Sequence, residues 1–343
     1  MKLIEIRHGV TGFFLYDGEE TLIYKDKIEI GDKILSSKED DDYYCVNDVL
    51  YKAVFDEKTI TASYFRYDGT NFTESDFRFK LKKYFDSQCC CSYEYEYKNG
   101  IERISLKCKE EEFIIEFDAE RKYKPLHFNN DILMLSAALG KGLLFYTKTG
   151  ERLWEYQVEE GLEIFESGVT VVDDDIVVIP STKNDHAVLV EGYNLLIGEK
   201  LWKVDDEDCC NYYYSLGPGK MLYSLASYHC YDHTTELRFT QINPSTGEAK
   251  MSVLKKGDYW KAVYSGHIAI NGNKLFYVNL NKYEGFSLGV IDLETKELIE
   301  DMPLKTEGFH TDKPVVTDEK IYVFIYHDDD SLNELRIYEN EYK

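Results

Sequence analysis

A hairpin signature returns along this chain at a nearly constant interval, and that interval limits the fold more than any other property of the sequence. Residues 142–158 hold an apolar strand, a turn with Thr149-Gly150-Glu151, and a second strand carrying Trp154. The unit recurs from Tyr193 to Val204, with Gly198-Glu199-Lys200-Leu201-Trp202. A third copy runs from Thr246-Gly247-Glu248 to Val253, and a fourth from Val290 to Ile299, with Lys296 where the others have glycine. Gly150, Gly198, Gly247 and Lys296 are spaced by 48, 49 and 49 residues. A steady period near fifty with strand-like content marks a repeat architecture.

The turn has a physical reading. Glycine supplies the positive φ that a tight hairpin needs, while the flanking Leu/Phe/Tyr and Leu/Trp/Tyr runs alternate as half-buried strands do. Two further short strands precede each hairpin: Val169–Val172 with Ile176–Ile179, His267–Ile270 with Lys274–Val278, and Pro314–Thr317 with Lys320–Phe324. Four antiparallel strands per repeat make one propeller blade. The expected fold is therefore all-β, a single β-propeller over residues 1–343 whose clearest repeats cover 125–326. Dividing 343 residues by the period predicts seven blades, with eight as the alternative.

The two ends of the chain fit this scheme. After Glu334–Tyr338 the last repeat stops one strand short, and residues 1–24 contain surplus strands. These residues are expected to complete the last blade and close the ring, which removes sheet edges that would otherwise pair with other chains. Leu3–Arg7 and Glu20–Tyr24 both qualify for that role. Tyr43–Phe55, Thr59–Tyr67 and Phe72–Phe79 form a further expected blade, and Ser92–Tyr97, Glu102–Cys108 and Glu112–Phe117 another.

A Val-Val strand, a short acidic or Asn-Gly turn, an Ile-Tyr-Val strand and then Thr-Gly-Glu-x-Leu-Trp together resemble the repeats of the pyrroloquinoline-quinone-type, or quinoprotein dehydrogenase-like, β-propellers. The resemblance implies that Trp154 and Trp202 dock between neighbouring blades. It does not bring a function with it, because this fold hosts enzymes, scaffolds and binding proteins alike. Members that hold the quinone need basic groups for its carboxylates, a metal site and a catalytic carboxylate, and no such set can be placed here. No cofactor, metal site or catalytic residue is expected.

Charge narrows the partners. Lys and Arg total 40 against 64 Asp and Glu, a net charge of −24, with a pI near 4.8. Nucleic acid and anionic membranes are disfavoured, since their affinity rests on Lys and Arg neutralising phosphates. A basic protein partner is favoured. Residues 1–8 are too short and charged for a secretory leader, and no run reaches the length of a spanning helix, so a cytoplasmic protein is expected. The eight cysteines, among them Cys89-Cys90-Cys91 and Cys209-Cys210, show no spaced disulfide framework and read as reduced thiols.

Few residues offer chemistry. His229 and His233 are spaced as metal ligands are on a helix, but they fall in an expected polar loop. His127, His186, His267 and His310 are scattered without sequence partners, and no nucleophile elbow or phosphate-cradling loop occurs. Tyrosine is the conspicuous bias, with 29 Tyr against 18 Phe. Tyr212, Tyr213, Tyr214, Tyr228 and Tyr231 are candidate partner-binding anchors, because aromatic rings dominate interface hot spots. Asp205, Asp206 and Asp208, with Asp328, Asp329 and Asp330, supply candidate acidic contacts. Loops 181–186, 228–235 and 327–333 are where specificity would sit.

These features predict a non-catalytic propeller that captures a basic protein, similar in type to bacterial immunity proteins that cover a toxin domain. A scaffold or sensor in a multiprotein complex is the alternative. A propeller binding a carbohydrate or small ligand through carboxylates around its channel is a third reading.

Overall fold

The computed structural model describes residues 1–38, 41–46, 49–56, 61–74, 91–98, 101–108, 111–118, 123–128, 132–137, 141–147, 149–173, 175–184, 186–205, 209–230, 234–257, 261–281, 285–306, 308 and 310–342. Side chains within the strands at 44–46, 49, 55–56, 61–62, 64, 91–98, 101–108, 111–118, 123–125, 127–128, 137, 229, 261–266 and 280–281 are not described.

The chain is all-β, without an α-helix among the described residues. Its strands pair antiparallel into eight sheets among those residues, most of four strands in sequence order, consistent with a propeller. Two compact units divide them: Val10–Gln157, and Met1–Gly9 with Val158–Lys343.

In the first unit, one sheet runs Gly12–Tyr16, Glu19–Ile23, Lys27–Ile30 and Lys33–Ser36. The last two of these strands carry no Thr-Gly-Glu signature, yet they complete the sheet and keep Glu19–Ile23 inside it. In the second sheet the expected strand at Tyr43–Phe55 is two strands, Asp41–Val46 and Val49–Asp56, paired antiparallel. Ile28, Ile30, Tyr43, Leu50 and Tyr67 join these two sheets in one buried cluster. The third sheet holds Cys91–Lys98, Ile101–Cys108 and Glu111–Asp118, and the fourth ends in Gly142–Thr147 and Arg152–Gln157. Trp154 is half-buried there and stacks on Phe145 at 3.8 Å.

The second unit holds the fifth to eighth sheets. Glu163–Ile164 and Thr170–Val172 begin the fifth, followed by Ile176–Lys183, His186–Asn194 and Lys200–Val204. Ser215–Leu216, Leu222–His229, Thr235–Ile242 and Ala249–Gly257 form the sixth. The seventh comprises Lys261–Asn271, Lys274–Asn281, Gly285–Asp292 and Glu297–Pro303. The eighth has His310–Thr311 and Val315–Val316, then Lys320–Tyr326 and Glu334–Glu339. Its outermost strand is Lys2–His8, antiparallel to Glu334–Glu339, so Leu3–Arg7 rather than Glu20–Tyr24 joins the last sheet.

Neighbouring sheets of this unit pack face to face. Val178, Val190, Trp202, Leu222 and Ile242 share one buried cluster between the fifth and sixth sheets. Leu225, Phe239, Ile268 and Tyr277 link the sixth to the seventh, and Val278, Leu288, Val323 and Ile325 link the seventh to the eighth. Burying a side chain of this size stabilises by about 1.5–3 kcal/mol.

Three of the repeated turns share one conformation. Asn194, Asn243 and Asp292 open them, and each backbone carbonyl accepts from the N–H of Gly198, Gly247 or Lys296 at 2.8–3.0 Å. The same three side chains accept from backbone N–H groups two residues on, an Asx turn that holds the chain in place. Gly150, Gly198 and Gly247 have φ of 82, 68 and 72°, and Lys296, at the same repeat position, has φ 60°. Lys296 therefore occupies a left-handed conformation that disfavours a side chain.

Trp202 bears out the docking expectation. Its indole Nε1 donates to the Pro244 carbonyl of the sixth sheet's turn, and a Cβ on Gly247 would come within 2.6 Å of the Trp202 Cβ. In its own sheet the indole covers Gly192, where any side chain would collide with the ring.

Candidate functional site

Antiparallel pairing gives each sheet two distinct ends. One end, here the turn end, carries the hairpins from first to second and from third to fourth strand. The other, the linker end, carries the second-to-third connections and the links between sheets. Loops 181–186, 228–235 and 327–333 are all second-to-third connections, and residues 205–214 link the fifth sheet to the sixth. The sequence-predicted contact residues that are described therefore lie at the linker end of the second unit.

Their individual roles differ. Tyr228 is exposed, and the Arg238 guanidinium lies 3.6 Å over its ring. Arg238 also pairs with Glu236 at 2.9 Å, which Lys256 approaches at 3.3 Å, so this aromatic already has a cationic neighbour. Tyr212 and Tyr213 are half-buried against Phe165, each with ring centroids 5.0 Å away. Tyr214 is a correction. It is buried, accepts from Asn211 N at 2.9 Å and donates to the Cys209 carbonyl at 3.1 Å, a strut inside the link and not a surface anchor. Burial pushes its phenol pKa up.

Asp205 and Asp328 are exposed. Asp329 accepts from Ser331 N at 2.9 Å and from Ser331 Oγ at 2.7 Å, and Asp330 approaches Asn333 Nδ2 at 3.5 Å, so both shape the loop they stand in. Asp206, Asp208, Tyr231 and His233, with the side chain of His229, lie outside the described residues.

The tertiary structure adds a group that sequence spacing did not connect. His267, in the first strand of the seventh sheet, meets His310, in the first strand of the eighth, with ring centroids 5.7 Å apart. His310 continues onto Tyr326 at 5.5 Å, and Tyr326 onto buried Phe324 at 4.6 Å. The Tyr326 hydroxyl donates to Asp312 Oδ2 at 2.6 Å. His310 and Asp312 are exposed, while Tyr326 and His267 are half-buried. These histidines are thus not isolated. No local motif announced them, because 43 residues separate the two, a step that differs from the repeat period.

Burial, then His310, lowers the His267 pKa, so its ring is neutral near pH 7. Burial and the hydrogen bond to Asp312 raise that of Tyr326, which remains a phenol and a donor. The result is a ladder of rings, His267 and Tyr326 among them uncharged, with a carboxylate at its exposed edge. Such a surface accepts a guanidinium or ammonium group, through ring quadrupole attraction and a charge-assisted hydrogen bond together. Among the described residues no group of three His, Cys, Asp or Glu side chains is arranged to hold a metal ion. No helix among them is long and apolar enough to cross a membrane.

No protein-family model matches the chain. No curated protein matches it either. Among solved structures, a protein of unknown function from Bacteroides caccae aligns at 13% identity and a TM-score of 0.36, covering 66% of this chain and 80% of its own. A quinohemoprotein alcohol dehydrogenase from Pseudomonas putida aligns at 10% identity and a TM-score of 0.45, covering 81% of this chain and 62% of its own.

Proposed function

We propose that this chain is a non-catalytic, protein-binding β-propeller that captures a basic partner at the linker end of its second unit, in the manner of an immunity protein neutralising a toxin domain. The observation that carries the reading is the exposed Asp312 carboxylate at the edge of the His267–His310–Tyr326 ladder. An arginine is the best-fitting guest: its planar guanidinium stacks on a ring while two N–H groups reach one carboxylate. The net charge of −24 supports a basic partner, since a complementary field raises the rate of encounter. The thiols of Cys209, Cys210 and Cys230 support a reducing compartment such as the cytoplasm. Eight sheets among the described residues support eight blades over seven.

The test is capture from native lysate with the tagged full chain, in parallel with Asp312→Ala, at low and moderate salt. One stoichiometric basic protein, retained by the native chain and lost by the variant, is the expected result. Equal retention by both would move the interface away from Asp312, and capture of acidic or assorted proteins would end the reading.

A further inference from the structure

The turn end of the same unit holds a cleft of different chemistry. It encloses about 570 Å³ between the first hairpin turns of the seventh and eighth sheets, within the range of roughly 300–1,000 Å³ usual for small-molecule sites. Asn271, Asn273 and Lys274 line one wall, Asp318 and Glu319 the other, and Tyr342 closes it beside Asn340.

The walls divide into scaffold and free groups. Asn340 is scaffold: its Nδ2 donates to the Thr317 carbonyl at 2.7 Å and its Oδ1 accepts from Tyr342 N at 3.1 Å. Tyr342 is also fixed, with its hydroxyl on Glu300 and its ring edge-on to Phe276. Asn271 and Asn273 are loosely held, their Nδ2 groups 3.4 Å from Asp318 and 3.5 Å from Glu294, and neither Oδ1 has a partner among the described residues. The Glu319 carboxylate has none there either. Lys274 sits 2.7 Å from Asp292, which leaves ammonium protons to spare.

This mixture selects against anions, which would face Asp318 and Glu319, and Lys274 adds a donor among the acceptors. A group of hydroxyls suits both walls, because each hydroxyl donates to a carboxylate or amide oxygen and accepts from an amide or ammonium N–H. Tyr342 adds a fixed ring for an apolar C–H face to rest on. We propose that this cleft binds a neutral carbohydrate of one or two sugar units, with Asn271, Asn273, Asp318 and Glu319 taking the hydroxyls and Tyr342 the ring face. The site is separate from the linker end and stands whether or not that end captures a protein.

Saturation-transfer NMR on the full chain tests it, with glucose, galactose, mannose, N-acetylglucosamine, maltose and lactose as probes and with spermidine and inorganic phosphate as charged controls. At least one sugar is expected to give a saturable signal at millimolar concentration, weakened at least tenfold in Asn271→Ala/Asp318→Ala. Glu319→Ala removes an exposed carboxylate without a hydrogen bond or ion pair among the described residues and keeps the test valid should the double variant misfold; it is expected to weaken binding at least threefold. Absence of any sugar signal, a signal that neither variant changes, or preferential binding of spermidine or phosphate that the same variants abolish would each overturn the proposal.

Discussion

The two ends of the second unit follow different rules. At the turn end the same hairpin is built three times, opened by Asn194, Asn243 and Asp292 and closed by Gly198, Gly247 and Lys296 in left-handed conformations. At the linker end the connections differ from sheet to sheet: a strut around Tyr214, an Arg238-capped Tyr228, and a ladder from His267 to Tyr326. Backbone hydrogen bonds and positive φ recur because they fix geometry, whereas variable side chains at the other end leave room for specificity. The comparison predicts that changes in the three repeated hairpins act on stability and changes at the linker end act on binding of a protein partner.

The largest effect is expected at Trp202, whose indole reaches the sixth sheet's turn. Trp202→Ala should destabilise by about 3–5 kcal/mol in chemical denaturation, through the cavity left between two sheets. A loss below about 1 kcal/mol would show that the docking does not hold the sheets together. Next comes Asp312→Ala, expected to weaken a basic partner by about 1.5–3 kcal/mol in calorimetry while leaving the melting temperature unchanged. A change in melting of the size seen at turn-end sites would erase the distinction between the ends.

A smaller effect, with the opposite sign, is expected at Lys296. Lys296→Gly should stabilise by about 1 kcal/mol, because φ 60° strains a residue with a Cβ, and Gly198→Ala should destabilise by a similar amount. The smallest effect concerns pH. Asp292 is held down to about 2 by Lys274 and by the backbone N–H of Thr295, against an ordinary value near 4. Its contribution is therefore present above pH 4 and lost as pH falls through about 2. Asp292→Asn should flatten the acid limb of a stability profile slightly, since the pair is partly exposed and screened.

Legibility in the sequence followed the range of the interactions. The turn at Lys296 was readable without its glycine, because the period and the flanking strands placed it. Lys27–Ile30 and Lys33–Ser36 escaped notice because their hairpin lacks the Thr-Gly-Glu signature that located the others. The run Tyr212-Tyr213-Tyr214 read as one surface cluster, but burial takes Tyr214 inward while its neighbours stay half-buried on Phe165. The loops at 181–186, 228–235 and 327–333 read as the places where specificity would sit, and topology places them at one end because all three join second to third strands.

The sequence by itself determined the period, the all-β character, the turn conformation and the docking tryptophan, since each depends on residues close in the chain or on a pattern that repeats. Only the tertiary structure decided that Lys2–His8 completes the last sheet, that His267 meets His310, and that two distant turns enclose a polar cleft. Those pairings join residues far apart in the chain through strand register and sheet packing, which spacing along the chain does not encode.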